Sequence, residues 1–172
     1  MSEISSRAGL ILASQSATRV GLLKNAGLVF EAIGADVDER AIETPLVEAG
    51  FPPDDVAQVL AEAKALDVSG RYPNTYVLGC DQTLGLGDKR FHKPADLDGA
   101  MNQLLELRGK THQLHSALAL AKSGEVVWRH VSTAHMTMRD FSPAYLGRYL
   151  SAVGDRVKTS VGGYQFEGPG IQ

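Results

Sequence analysis

The sequence has almost no cysteine: Cys80 is the single one among 172 residues. That excludes an intramolecular disulfide framework and suits a reducing compartment. Long hydrophobic runs are missing too. No stretch approaches the ~18 uninterrupted apolar residues of a membrane span, and the opening MSEISSRAGLILAS holds no apolar core of signal-peptide length. A cytoplasmic protein without a membrane partner is the expectation. Positive charge is not in excess, since 17 Lys and Arg face 20 Asp and Glu, for a net charge of −3 and a pI near 5.9. This balance argues against broad binding to nucleic acid, although a pocket for a small anion needs only a few cations.

Several familiar signatures are absent. Gly85 and Gly87 lack the GK[ST] that would make a P-loop, and no G-x-S-x-G nucleophile elbow occurs. His112 and His115 sit three apart on an expected strand, hence on opposite faces, so a zinc site is rejected. There is no internal repeat, low-complexity tract or long linker. With 44% hydrophobic residues, the chain suits one compact domain or two closely joined lobes.

What is present alternates between short apolar runs and amphipathic stretches. GLILA (9–13) reads as a buried strand, followed by a helix over about 17–26 capped by Ser16, with Val20, Leu23 and Ala26 on one face and Gly27 closing it. LVFEAIG (28–34) reads as a strand and 35–53 as an acidic, proline-containing loop. A helix over 54–70 carries Val56, Val59, Leu60, Ala63 and Leu66 as its stripe and ends at Gly70. TYVLGC (75–80) is a further strand, and Gly87-Asp88 suits a hairpin turn. Pro94 starts a helix over about 96–108, with Ala100, Met101, Leu104 and Leu105 on one side. Two long strands, 111–121 and 125–139, meet at Ser123-Gly124, and Ser142-Pro143 opens a last helix to about 152. The order implies an α/β fold with a mixed sheet flanked by helices.

The candidate chemistry begins at LASQSATR. Ser14, Ser16 and Arg19 stand where a strand gives way to a helix, and free backbone N–H groups, hydroxyls and a guanidinium there suit a phosphate. A capped helix with a surface arginine is the plainer alternative. Asp81 directly follows the apolar strand, at the edge where open α/β sheets bind ligands, and could hold a metal or accept a proton; a turn aspartate is the alternative. Glu39 lies in the acidic DVDER, Lys64 beside the apolar stripe of its helix, and Lys93 in FHKP. A solvated acidic loop, a snorkelling lysine and an ordinary loop lysine are their plainer readings. Glu167, within the glycine-rich VGGYQFEGPGIQ, could accept two N–H donors from a guanine edge.

Taken in order, these segments resemble the Maf family. LASQSATR resembles its L-A-S-x-S-P-R-R, DVDE its acidic loop, AEAKA its lysine-bearing helix and GCDQ its G-[AS]-D-[TQ]. HKP is similar to its G-K-P, LELRGKTHQLHSAL to L-S-G-x-x-H-x-V-x-T-G, and VGGYQFEGPGI to A-G-x-Y-x-x-x-G-x-G. The resemblance spans nearly the whole chain, read as a single Maf-like domain over 1–172 that ends before the family's usual C-terminal segment. It implies an elongated, two-lobed fold with a central cleft, similar to inosine triphosphate pyrophosphatases. The activity implied is hydrolysis of a nucleoside triphosphate to monophosphate and pyrophosphate with Mg2+ or Mn2+. Asp81 would be the acid–base group near the metal, and Glu39 would help hold the metal or the attacking water. Ser14, Ser16, Arg19, Lys64 and Lys93 would bind the triphosphate. Thr18, Gln82 and Glu167 would set base choice. The branch acting on 7-methyl-GTP typically has Trp, Gln and Glu there, and the dTTP/UTP branch Arg, Thr and Gln. Gln82 and Glu167 match the first pattern, Thr18 neither, so 7-methyl-GTP is the expected substrate. A dTTP/UTP enzyme and a non-catalytic nucleotide-binding regulator of cell division are the alternatives, and a homodimer is left open.

Overall fold

The structure, a computed structural model, describes residues 9–165 and 168–170. Its elements are β1 (Leu10–Leu12), α1 (Ala17–Asn25), β2 (Glu31–Ala32), α2 (Glu39–Glu48), α3 (Pro53–Arg71), β3 (Tyr76–Leu86), β4 (Lys89–Phe91), α4 (Leu97–Leu107), β5 (Thr111–Lys122), β6 (Glu125–Thr137) and α5 (Pro143–Val153), followed by two short 3₁₀ turns. The sheet runs β2-β1-β3-β5-β6, with β4 added to β3. β1 lies parallel to both β2 and β3, whereas β4 folds back antiparallel on β3. This is the mixed α/β architecture expected. Among the described residues, no helix is long and apolar enough to cross a membrane.

The chain divides into two compact units. One holds the described residues up to Gln82 with Ser116–Ser132; the other holds Thr83–His115 and those from Thr133 onward.

In the first unit α3 lies on the sheet. Its small residues Ala57, Ala61 and Ala65 pack on Ala117, Ala119 and Ala121 of β5. Small side chains on both surfaces let helix and strand backbones approach closely. Gly79 of β3 marks the tightest point, since a Cβ there would sit 2.1 Å from the Ala61 carbonyl oxygen. A second cluster joins Ile11, Ala13, Val68 and Val77. The second unit has its own core, in which Leu84, Phe91, Leu104, Leu107, Leu146, Val157 and Tyr164 converge.

Caps and turns fall where the residue types put them. Ser16, Asp96 and Ser142 cap α1, α4 and α5 by accepting from the N–H three residues on. Ser123 and Gly124 both adopt positive φ, as a tight two-residue hairpin demands. Gly87-Asp88 turns the β3–β4 hairpin.

Other expectations fail in instructive ways. Residues 39–48 are a helix and not part of a loop: Asp38 caps it by accepting from the Ala41 N–H, and Pro45 is accommodated within it. β2 shrinks to two residues. The buried residues of α3 are Val56, Ala57, Leu60, Ala61, Lys64, Ala65, Val68 and Ser69, a face turned from the expected stripe, which shares Val56 and Leu60 with it, and Gly70 lies inside the helix. No residue of α1 is buried. α4 starts at Leu97 behind the Asp96 cap, and Leu105 faces solvent.

Candidate active site

Three charged side chains of the first unit meet on the α3 face of the sheet. Lys64 Nζ lies 2.7 Å from Asp81 Oδ1 and 2.9 Å from Glu39 Oε1. The Lys64 and Asp81 side chains are only 10% and 9% exposed, whereas Glu39 is half open to solvent at 53%. Each element delivers one group. The close approach of α3 at Gly79 carries the Lys64 stem onto β3. Residues two apart on a strand share a face, so Asp81 follows Gly79 toward α3. Glu39 is the first residue of α2, held there by the Asp38 cap. The plainer reading of Lys64, a snorkelling lysine, does not hold, because its amine is held by two carboxylates and its side chain is 10% exposed. Asp81 is also not at the end of its strand: β3 continues five residues further. It does lie past the last residues that pair with β1, Leu12 against Leu78, so it stands beyond the C-terminal end of the parallel pairing.

A second group sits where β1 leads to α1. Ser14 is buried, and its Oγ accepts from the Ser16 N–H at 3.2 Å and from Arg19 Nη1 at 3.4 Å. Ser16 Oγ accepts from the Arg19 N–H at 3.4 Å. The hydroxyls and the guanidinium are therefore gathered around the first turn of α1, with Thr18 exposed on the same turn. Cys80, next to Asp81 in β3, is buried. Burial pushes its thiol pKa up, the Arg19 and Lys64 charges pull it down, and the Asp81 carboxylate pushes it up again. One buried sulfur thus feels both cations and the acid.

Gln82 points to the sheet face opposite Asp81, as the strand period requires, and its Nε2 donates to Ser116 Oγ at 3.0 Å. Lys93 belongs to the second unit, exposed on the segment between β4 and α4. Glu167 lies outside the described residues. The two histidines have separate partners: His112 Nε2 meets Tyr164 Oη at 2.6 Å, and His115 Nδ1 meets Thr133 Oγ1 at 2.9 Å. Ser116 was not anticipated. A polar residue on a strand of alternating alanines, at the position facing away from α3, is the signal that could have found it.

Among the described residues no group of three His, Cys, Asp or Glu side chains is arranged to hold a metal ion. Glu39 and Asp81 nevertheless aim carboxylate oxygens at one shared cation. Mg2+ commonly takes only one or two protein carboxylates and fills its remaining positions with phosphate oxygens and water. The donor set fits an ion brought in with a phosphate chain.

The Maf-like protein family matches residues 9–172. The chain belongs to that family. The 7-methyl-GTP pyrophosphatase of Brucella abortus biovar 1 (strain 9-941) is 60% identical over 95% of this chain and 82% of its own length. The nucleoside triphosphate pyrophosphatase of Bradyrhizobium diazoefficiens (strain JCM 10833 / BCRC 13528 / IAM 13628 / NBRC 14792 / USDA 110) is 52% identical over 94% of this chain and 79% of its own. Among solved structures, the nucleoside-triphosphatase / dITP/XTP pyrophosphatase from Mycobacterium abscessus ATCC 19977 / DSM 44196 aligns at 14% identity and a TM-score of 0.41, covering 86% of this chain and 98% of that one. That last likeness is too distant to carry weight. Within this Maf-like chain, four of the segments that resemble family motifs, LASQSATR, DVDE, AEAKA and GCDQ, supply the two charged groups of the first unit.

Proposed function

We propose that this Maf-like protein is a nucleoside triphosphate pyrophosphatase that converts 7-methyl-GTP to its monophosphate and pyrophosphate. The observation that carries the chemistry is the Glu39–Lys64–Asp81 constellation, in which a buried lysine and a buried aspartate meet a half-exposed glutamate. Relatives named for 7-methyl-GTP at up to 60% identity support the choice of substrate.

The residues divide the work as follows. Arg19, Ser14 and Ser16 bind the anionic phosphate chain at the start of α1, and Lys93 is assigned to the same chain. Asp81 accepts the proton of the attacking water. That water's oxygen bonds to the α-phosphorus while the bond from this phosphorus to the bridging oxygen breaks, and pyrophosphate leaves with the electron pair. Glu39 and Asp81 would hold the divalent ion, Mg2+ or Mn2+, which neutralises charge on the phosphoryl oxygens when bound. Fixed positive charge aimed at those oxygens is the main catalytic tool in phosphoryl transfer. Base choice is assigned to Thr18, Gln82 and Glu167. The cationic ring of 7-methylguanine and its N–H donors favour a carboxylate, which would repel a uracil carbonyl.

The test is a panel of 7-methyl-GTP, GTP, dTTP and UTP with each metal, with monophosphate and pyrophosphate measured separately. Equimolar release of both from 7-methyl-GTP is expected. Faster turnover of dTTP or UTP would overturn the substrate assignment. Tight binding without product would replace the enzyme with a nucleotide-binding regulator.

A further inference from the structure

We infer that Lys64 acts as an internal counter-ion that closes the Glu39–Asp81 pair to free divalent metal, so that metal is admitted only together with the nucleotide. The inference rests on the pyrophosphatase reading for its physiological meaning and on the ion-pair geometry for its physical content. The ammonium sits 2.7 and 2.9 Å from one oxygen of each carboxylate. A magnesium ion bridging those same two oxygens, at ~2.1 Å from each, would need the space that Nζ occupies. The two cations cannot share it.

Displacing Nζ is costly unless another anion receives it, because a buried charge left without its partner is strongly unfavourable. Free metal brings no such anion. A triphosphate does, and a lysine's flexible stem lets the ammonium move from carboxylate to phosphate. Metal and nucleotide binding are then linked, each raising the affinity for the other by the same factor. Lys64 also offsets one of the two carboxylate charges while the site waits for substrate.

Mn2+ binding followed by electron paramagnetic resonance tests this without turnover. Wild type, Lys64→Met and Lys64→Arg are titrated with Mn2+ alone, then with a non-hydrolysable imido analogue of the nucleotide present. Lys64→Met removes the charge and keeps the stem, and should bind Mn2+ alone at least ~10-fold more tightly than wild type. Lys64→Arg keeps the charge and should stay as weak as wild type. Lys64→Met binding Mn2+ no more tightly than wild type overturns the inference. Should Lys64→Met fail to fold, thermal unfolding of the wild type decides. Mn2+ with the analogue should raise Tm by more than the separate shifts from Mn2+ and from analogue added together, and merely additive shifts overturn it. A wild type that releases no pyrophosphate from any nucleotide would refute the enzymatic reading separately, since the spectroscopic comparison counts bound ions whatever the turnover.

Discussion

Replacing Asp81 by Asn separates charge from shape at the centre of the site. The amide keeps an oxygen that Lys64 can bond but loses the negative charge and the ability to accept a proton from water. Removing one partner of a buried ion pair typically costs ~3–5 kcal/mol. Two features lower that here. The Asn oxygen still accepts from Nζ, and Glu39 still balances the ammonium at 2.9 Å, although at 53% exposure its own pairing contributes at most ~1 kcal/mol. The expected loss of stability is therefore ~1–3 kcal/mol, a drop in Tm of roughly 2–12 °C for a chain of this size. The expected loss of kcat is larger in kind, ~10²–10⁴-fold, the usual contribution of a positioned general base. Pyrophosphate release should be measured with 7-methyl-GTP at saturating Mg2+, well below the variant's Tm, with binding of the imido analogue followed by calorimetry. Nucleotide binding retained with turnover lost is the expected pattern. Turnover within ~10-fold of wild type would remove Asp81 from the proton transfer.

Other consequences follow from the same geometry. Arg19→Ala should raise KM by ~10–100-fold, the worth of one charge-assisted hydrogen bond, read from initial rates. Gly79→Ala puts a methyl group 2.1 Å from the Ala61 carbonyl oxygen and 2.7 Å from the Ala65 nitrogen, forcing α3 off the sheet; the urea midpoint should fall by the equivalent of ~3 kcal/mol. Tyr164→Phe deletes the hydroxyl bonded to His112 and should cost ~1–3 kcal/mol in denaturant unfolding. Burial lowers the pKa of His112 from its ordinary 6.5, so the unfolded chain binds more protons than the folded one just below that pH. Stability should accordingly fall as pH drops through and below 6.5, and His112→Gln should flatten that part of the stability-versus-pH curve.

How far the residues announce this arrangement depends on which forces decide each element. Hairpins and caps are local, and Ser123-Gly124, Gly87-Asp88, Ser16 and Ser142 could be read directly because their turn and capping chemistry is contained within a few positions. α2 is hard to read because Pro45 argues against a helix by local rules, while the Asp38 cap and the acidic Glu39 in its first turn favour one. Glu39 reaches Lys64 as the first residue of a helix, not as a member of a loop. The strand expected from the sequence stops at Cys80 because Asp81 and Gln82 interrupt the apolar run, yet their side chains fall on opposite faces, each with its own partner.

Lys64 teaches the most about reading such a site. Large aliphatic residues drew the expected stripe of α3 toward Val59, Ala63 and Leu66, leaving the lysine beside it. The buried stripe is instead built on alanines, at 57, 61 and 65, because the helix must come close to β5 and to Gly79. Counting alanine as the contacting residue puts Lys64 inside the buried face by helical spacing alone, at 57, 60, 61, 64 and 68. A lysine in a stripe of small residues that packs on a sheet is carried into the interior and needs a counter-charge there. Asp81, two residues beyond the glycine that lets the helix in, is the acid the facing strand presents, and Glu39 at the start of α2 supplies a second.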